Sequence, residues 1–289
     1  MVRRLAWVSA REARGLDEDE ELALPALRAA GVEAEVVNWD DPAVRWASYD
    51  RVVLRSTWDY PQRLGEFRRW LDAVAEVTDL RNPVPMVRWS LDKHYLAELD
   101  AAGVPVTPTV FAEPGSGEEP VFPDGEFVVK PAIGAGSRDA AGYGPAEHDV
   151  ARAHVRRLHE GGASVLIQPL LKSVEVDGEW PLVFFAGQYS HAAGKRVALP
   201  RAGVIDELFA EETNAPYVAD DEQIAVARRV IDIVTSRFGV PLYARVDLVR
   251  DDDGKACVLE VELVEPSLFL PQAPPEAVAR LVAASTATG

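Results

Sequence analysis

Apolar positions along the chain fall into short runs separated by stretches of helical spacing. Leu5–Ala10 is a short apolar run that predicts a strand. Glu20–Ala30 carries apolar residues at helical intervals and stops at Gly31, a residue suited to a helix C-cap. Glu33–Val37 and Asp50–Arg55 read as further strands, and Leu64–Val77 as a helix. Alternation of this kind predicts a small parallel α/β unit over residues 1–85.

Further on, the spacing predicts a helix over Leu91–Ala102 ended by Gly103, then a strand over Glu126–Lys130 and a glycine-rich loop, PAIGAGSRDAAGYG. His148–Glu160 reads as a helix and Ser164–Leu170 as a strand. Glu179–Tyr189 reads as one strand followed by a polar loop to about residue 219, and Asp221–Phe238 as a long helix ended by Gly239. Tyr243–Val249 and Ala256–Val264 flank an Asp-rich turn closed by Gly254, which predicts a hairpin. The expected class is α/β, with α+β character in the C-terminal half. The expected units are an N-terminal domain (1–85), a central lobe (86–170) and a C-terminal lobe (171–289).

Composition narrows the partners. Hydrophobic residues make up 48% of 289, enough for a core, so global disorder is excluded. A net charge of −17 argues against nucleic acid and anionic membrane as partners. The single cysteine, Cys257, excludes an intrachain disulfide and fits a reducing, cytoplasmic compartment. The N-terminus does not read as a signal peptide, and no apolar stretch approaches about 18 residues.

Three segments carry chemistry. The first is EFVVKPAIGAGS, where a strand delivers Lys130 beside a loop with Gly134, Gly136 and Ser137. Such a loop can point N–H groups at phosphate oxygens while the lysine adds a charge. A plain surface loop is the alternative. The second is the final hairpin. Strand alternation places Glu260 and Glu262 on one face, roughly 6.5–7 Å apart, with Asp247 close by on the partner strand. Carboxylates grouped this way call for cations, and oxygen-only ligands indicate Mg²⁺ over zinc; a solvated polar face is the alternative. The third runs from Gln168 through Leu170 and Leu171 to Glu175 and Glu179, where an apolar hinge could flank an adenine and a carboxylate could hold a ribose. Taken alone, it reads equally as connecting strand.

Taken in order, these segments resemble the ATP-grasp ligases, the glutathione synthetase-like members above all, over about two-thirds of the chain. Asn82-Pro83 with Asp92-Lys93 resembles the stretch bearing the first phosphate-binding lysine, and Val128-Val129-Lys130-Pro131 the strand bearing the second. Gly134–Ser137 resembles the mobile loop over the triphosphate, Gln168–Leu171 the adenine hinge, and Glu179 or Glu175 the ribose carboxylate. Arg245-Val246-Asp247 and Glu260-Val261-Glu262 resemble the paired metal-binding strands. A narrower resemblance, to a subgroup that includes cycloserine-forming enzymes, lies in Arg55–Tyr60, Gly136–Asp139, Ser190–Lys195 and Glu265–Phe269. Between Val197 and Asn214 the sequence departs from glutathione synthetase-like relatives.

The resemblance implies ATP and two Mg²⁺ ions as cofactors, an amino-acid-like substrate, and ligation through an acyl phosphate with release of ADP. Homodimers are common in the family. Ring closure of O-ureido-D-serine, a dipeptide or other amino-acid ligation, and a non-catalytic ATP-binding module all stay open. Arg245 and Lys195 are candidates to stabilise the transferring phosphoryl group or the oxyanion. On the substrate side Arg55 could clamp a carboxylate, Asp59 an ammonium, and His191 could serve as a base; Glu265 and Ser267 belong to the stretch the subgroup shares. Arg55 and Asp59 could equally form a local ion pair, and Trp58 and Tyr60 could pack or stack on substrate. Cys257 alternates to the face opposite Glu260 and is expected buried and inert.

Overall fold

Strand β1 (Arg4–Ser9) is the centre of the N-terminal layer. It pairs in parallel with β2 (Glu33–Asn38) and β3 (Arg51–Ser56), and β3 pairs with β4 (Asp79–Arg81). Its residues from Leu5 to Ser9 are all buried, as expected of a strand covered on both faces. Helices α1 (Glu20–Ala29) and α2 (Leu64–Ala75) follow β1 and β3. The computed structural model describes residues 2–136, 138–197 and 212–287, with the side chain of Glu175 left out.

The central lobe is an antiparallel sheet of β5 (Val110–Ala112), β6 (Phe127–Pro131), β7 (Ala141–Tyr143) and β8 (Val165–Pro169), in the order β5-β8-β6-β7. Its own small core is backed by α5 (His148–Glu160). The C-terminal sheet has the order β11-β10-β9-β12-β13, all antiparallel. Its strands are β9 (Trp180–Phe185), β10 (Gln188–Val197), β11 (Glu212–Tyr217), β12 (Tyr243–Arg250) and β13 (Ala256–Glu262). The short helix α6 (Lys172–Val176) precedes β9, and α7 (Asp221–Phe238) packs on the sheet; Asp220 and Gln223 close a capping box at the start of α7. The last helix, α8 (Glu276–Thr286), returns to pack on α1.

Three sequence expectations change. Glu179–Tyr189 is two strands, because Ala186 (φ 48°) and Gly187 (φ 73°) turn the chain between β9 and β10. Left-handed values at both positions suit a tight hairpin, but Ala-Gly inside an apolar run hides it. The polar loop expected after it begins instead with β10, which runs to Val197, and ends with β11; residues 198–211 lie outside the described part. The helix expected over Leu91–Ala102 is two helices, α3 (Val84–Leu91) and α4 (Tyr95–Ala101). Asp92 between them is extended, and its carboxylate accepts from the His94 N–H, so Lys93 sits at a break rather than on a helix. These helices pack with the C-terminal lobe. Met86, Tyr95, Leu96 and Leu99 share a core with Val246, Leu248 and Val261.

Asn82 fastens the layers together. Its buried amide donates to the Tyr243 and Leu263 carbonyls and accepts from the Leu242 N–H at 2.7–2.9 Å.

Candidate active site

Side-chain alternation builds the floor of a deep cleft from one hairpin. On the back of β12 and β13, Val246, Leu248, Val258 and Val261 are fully or almost fully buried. Each gains about 1.5–3 kcal/mol on burial, which offsets the desolvation of charges on the front. On that front, Arg245 pairs in register with Glu262, and Asp247 with Glu260. The Arg245 fork donates from Nε and Nη2 to Asp247 at 2.7 and 2.9 Å, bonds Glu262, and donates to the Ser267 carbonyl at 3.1 Å. Burial would discharge Arg245, but Asp247 and Glu262 hold its pKa well above the ordinary value.

The lysines converge from three elements. Lys93, at the α3–α4 break, meets Glu260 at 2.9 Å and donates to the Gly134 carbonyl at 3.2 Å. Lys195 on β10 meets Glu179 at 3.0 Å across a β-bridge. Lys130 on β6 lines the same cleft and forms no ion pair among the described residues; burial and Lys93 lower its pKa. Burial also opposes ionisation of Glu260, yet Lys93 and Lys130 hold it down to about 2. Glu262 goes the other way. Burial, with Asp247 and Glu260 nearby, pushes it up to about 7 despite Arg245.

Among the described residues no three carboxylate, imidazole or thiolate groups enclose a metal by themselves. The reason is visible: Arg245 covers Asp247, and Lys93 stands on Glu260. Magnesium in nucleotide sites takes one or two carboxylates and completes its shell with phosphate oxygens and water. Glu260 and Glu262, hard donors facing a lysine-rich cleft, fit that demand.

Above the floor, Pro169, Leu170, Leu171, Val174 and Leu259 form an apolar slot. Gln168 is buried and donates to Thr109 Oγ1 at 2.9 Å, and the Leu170 N–H donates to the Glu126 carbonyl. Gly134 and Gly136 line the roof; Gly136 has φ 64°, open to glycine at little cost. Ser137 and the Glu175 side chain lie outside the described residues.

Three expected substrate residues do not line the cleft. Buried Arg55 donates from Nη2 to the Pro266 carbonyl (2.7 Å) and to Asp19 (3.1 Å). Asp59 accepts from Trp39 Nε1 at 2.7 Å and pairs with Arg63. His191 is buried mid-strand, its Nε2 at 2.7 Å from the Leu268 carbonyl and Nδ1 at 3.0 Å from Ser190 Oγ; burial and Arg280 pull its pKa down to about 4. A neutral, enclosed imidazole has no access to a substrate proton here. Glu265 and Ser267 do line the cleft, as do Trp58, Tyr60, Arg138, Glu212 and Phe269. Arg138 falls in the Gly136–Asp139 stretch of the narrower resemblance, whereas Glu212 carries no local pattern that marks it. Cys257 is buried as expected, its thiol pushed up to about 11 by burial.

The loop bearing Glu265, Ser267 and Phe269 is held from below. Asp19 accepts from the Leu268 and Leu270 N–H groups at 2.6 and 2.9 Å. Trp58 Nε1 donates to the Glu265 carbonyl, and Tyr243 Oη to the Val264 carbonyl. Phe269 between these anchors is left-handed (φ 52°, ψ 38°), a costly state for a non-glycine residue, and its ring lies 5.4 Å from the Arg245 guanidinium carbon.

Comparison with known proteins agrees with this geometry. Residues 5–82 match the family model for the N-terminal domain of the D-cycloserine synthetase DcsG. Over 277 residues the chain is 40% identical to the cycloserine biosynthesis protein DcsG of Streptomyces lavendulae, covering 92% of each. The crystal structure of D-cycloserine synthetase DcsG superposes with a TM-score of 0.88 at 38% identity, over 97% of this chain and 98% of that one. At 15% identity, the D-alanine–D-alanine ligase of Bacillus anthracis complexed with ATP shares the fold alone, with a TM-score of 0.66 over 98% and 96% of the chains. The chain belongs to the D-cycloserine synthetase family.

Proposed function

We propose that this enzyme closes O-ureido-D-serine into the D-cycloserine ring, using ATP and releasing ADP and phosphate. The observation that carries the reading is one cleft lined by Lys93, Lys130 and Lys195 with the apolar slot, and by Arg245 with Glu265, Ser267 and Phe269. A polyanionic nucleotide fits the first half and a small zwitterion the second. Magnesium, two ions by resemblance, would be held by Glu260 and Glu262 with Asp247 beside them, and would neutralise charge between the phosphates.

Lys93 and Lys130 bind the phosphates, and Glu179 accepts from the ribose hydroxyls while Lys195 holds it in place. The substrate carboxylate takes the γ-phosphoryl group. The ureido nitrogen then attacks the acyl carbon, a C–N bond forms, and the C–O bond breaks as phosphate leaves. Arg245 stabilises the charge that builds on the acyl oxygen. The carbamoyl group left on nitrogen must be shed by hydrolysis to give the free ring. The glycine-rich roof excludes water from the acyl phosphate.

Mass-resolved analysis of nucleotides and products with O-ureido-D-serine tests this. ADP release dependent on that substrate, with cycloserine formed, is expected; AMP and pyrophosphate, or amide joining of two amino acids, would overturn it. Lys130→Ala is expected to raise the KM for ATP and lower turnover at least about tenfold, roughly 1.4 kcal/mol. Because burial lowers the Lys130 pKa, kcat/KM for ATP in the unaltered enzyme should fall as pH rises, starting below the ordinary lysine range. The Lys130→Ala profile should lack that limb, and unchanged steady-state kinetics would remove Lys130 from the site.

A further inference from the structure

Three side chains that line the cleft form a unit that the ring-closing chemistry leaves unused. Trp58, Tyr60 and Glu265 all line the cleft and are only 6%, 3% and 7% exposed. They are tied together: Trp58 Nε1 donates to the Glu265 carbonyl at 3.1 Å, and the Tyr60 hydroxyl stands beside the Glu265 carboxylate. Of the carboxylates on this part of the cleft, Glu260 is paired with Lys93, and Glu262 and Asp247 with Arg245. Glu265 forms no ion pair among the described residues. A buried carboxylate without a cation is costly, and the faces of indole and phenol rings attract cations.

We propose that Trp58, Tyr60 and Glu265 form the subsite for a primary ammonium group, the α-ammonium of the amino-acid substrate. The assignment rests on the activity proposed above and specifies which end of that substrate this wall reads. Two aromatic rings and one carboxylate suit a compact cation.

The subsite also accounts for chemoselectivity. An α-amine is the strongest nucleophile in an amino-acid substrate and, unprotonated, would compete for an acyl phosphate. Held as an ammonium on Glu265, it has no lone pair, and the attack is left to the ureido nitrogen, which the reaction requires.

The test compares O-ureido-D-serine with its desamino analogue, 3-(ureidooxy)propanoate, which keeps both reacting groups. The unaltered enzyme should accept the analogue with a KM raised at least about tenfold. Glu265→Gln should raise the KM for the amine-bearing substrate by a similar factor and leave the KM for the analogue and for ATP within about twofold. Trp58→Leu should reduce the same discrimination, which covers the case in which Glu265→Gln folds poorly. An equal loss for both compounds in these variants would overturn the ammonium subsite alone. Failure of the unaltered enzyme to turn over either compound would overturn the activity reading, and this inference with it.

Discussion

Replacing Arg245 by lysine should lower kcat by about 10²–10³, roughly 2.7–4 kcal/mol, with the KM for ATP changed less than about threefold. Arg245 reaches Asp247, Glu262 and the Ser267 carbonyl with one planar fork. Lysine keeps the charge but not the fork, so it can serve one of these partners and misplaces the donor proposed to meet the reacting carbonyl. The charge it keeps makes the variant informative. Asp247 and Glu262 still have a nearby cation, and the fold should survive. Arg245→Met, which leaves both carboxylates buried without one, should cost a further 3–5 kcal/mol or so of stability. Steady-state ADP release and thermal melting of the two variants separate these effects. Turnover by Arg245→Lys within threefold of the unaltered enzyme would show that the fork does not act on the transition state.

Legibility in the sequence followed locality. The hairpin of β12 and β13 was readable because alternation and an Asp-rich turn are both local, and Arg245, Asp247, Glu260 and Glu262 fall on one face as alternation requires. Lys130 was readable for the same reason: a strand ends and a glycine-rich loop begins. Arg55 reads from sequence as a substrate clamp because a buried arginine gives no sign there of what it meets. Its partner carbonyl belongs to Pro266, 211 residues away. His191 failed likewise. The Leu268 carbonyl that holds it comes from a loop 77 residues on, and burial there removes the basicity a catalytic imidazole needs. Trp58 and Tyr60 read as packing or as substrate contacts; both are buried and both line the cleft.

Asp19→Ala is expected to damage stability and the substrate half of the site together. A helix-start aspartate ordinarily accepts from the N–H groups of its own first turn. Asp19 stands at the N-cap of α1 and makes no such bond. Its carboxylate accepts from the Leu268 and Leu270 N–H groups, at the far end of the chain, and from Arg55. Removing it orphans two buried N–H groups and leaves Arg55, whose Nε and Nη1 already lack partners, with the Pro266 carbonyl alone. Breaking a buried pair in this way costs about 3–5 kcal/mol, and the melting temperature should fall by on the order of 10 °C. The kinetic signature separates a positioning role from general weakening. Phe269 is left-handed only because both its neighbours are pinned, so releasing them should let it relax and free Ser267 and Arg245 from their shared register. At a temperature where the variant is folded, kcat/KM for the amino-acid substrate should drop at least about tenfold while the KM for ATP, bound on the lysine side, stays within about twofold. Asp19→Asn keeps an acceptor without the charge and should fall between the two. An Asp19→Ala enzyme with normal melting and an unaltered substrate KM would mean that the 265–270 loop holds its shape without the Asp19 carboxylate.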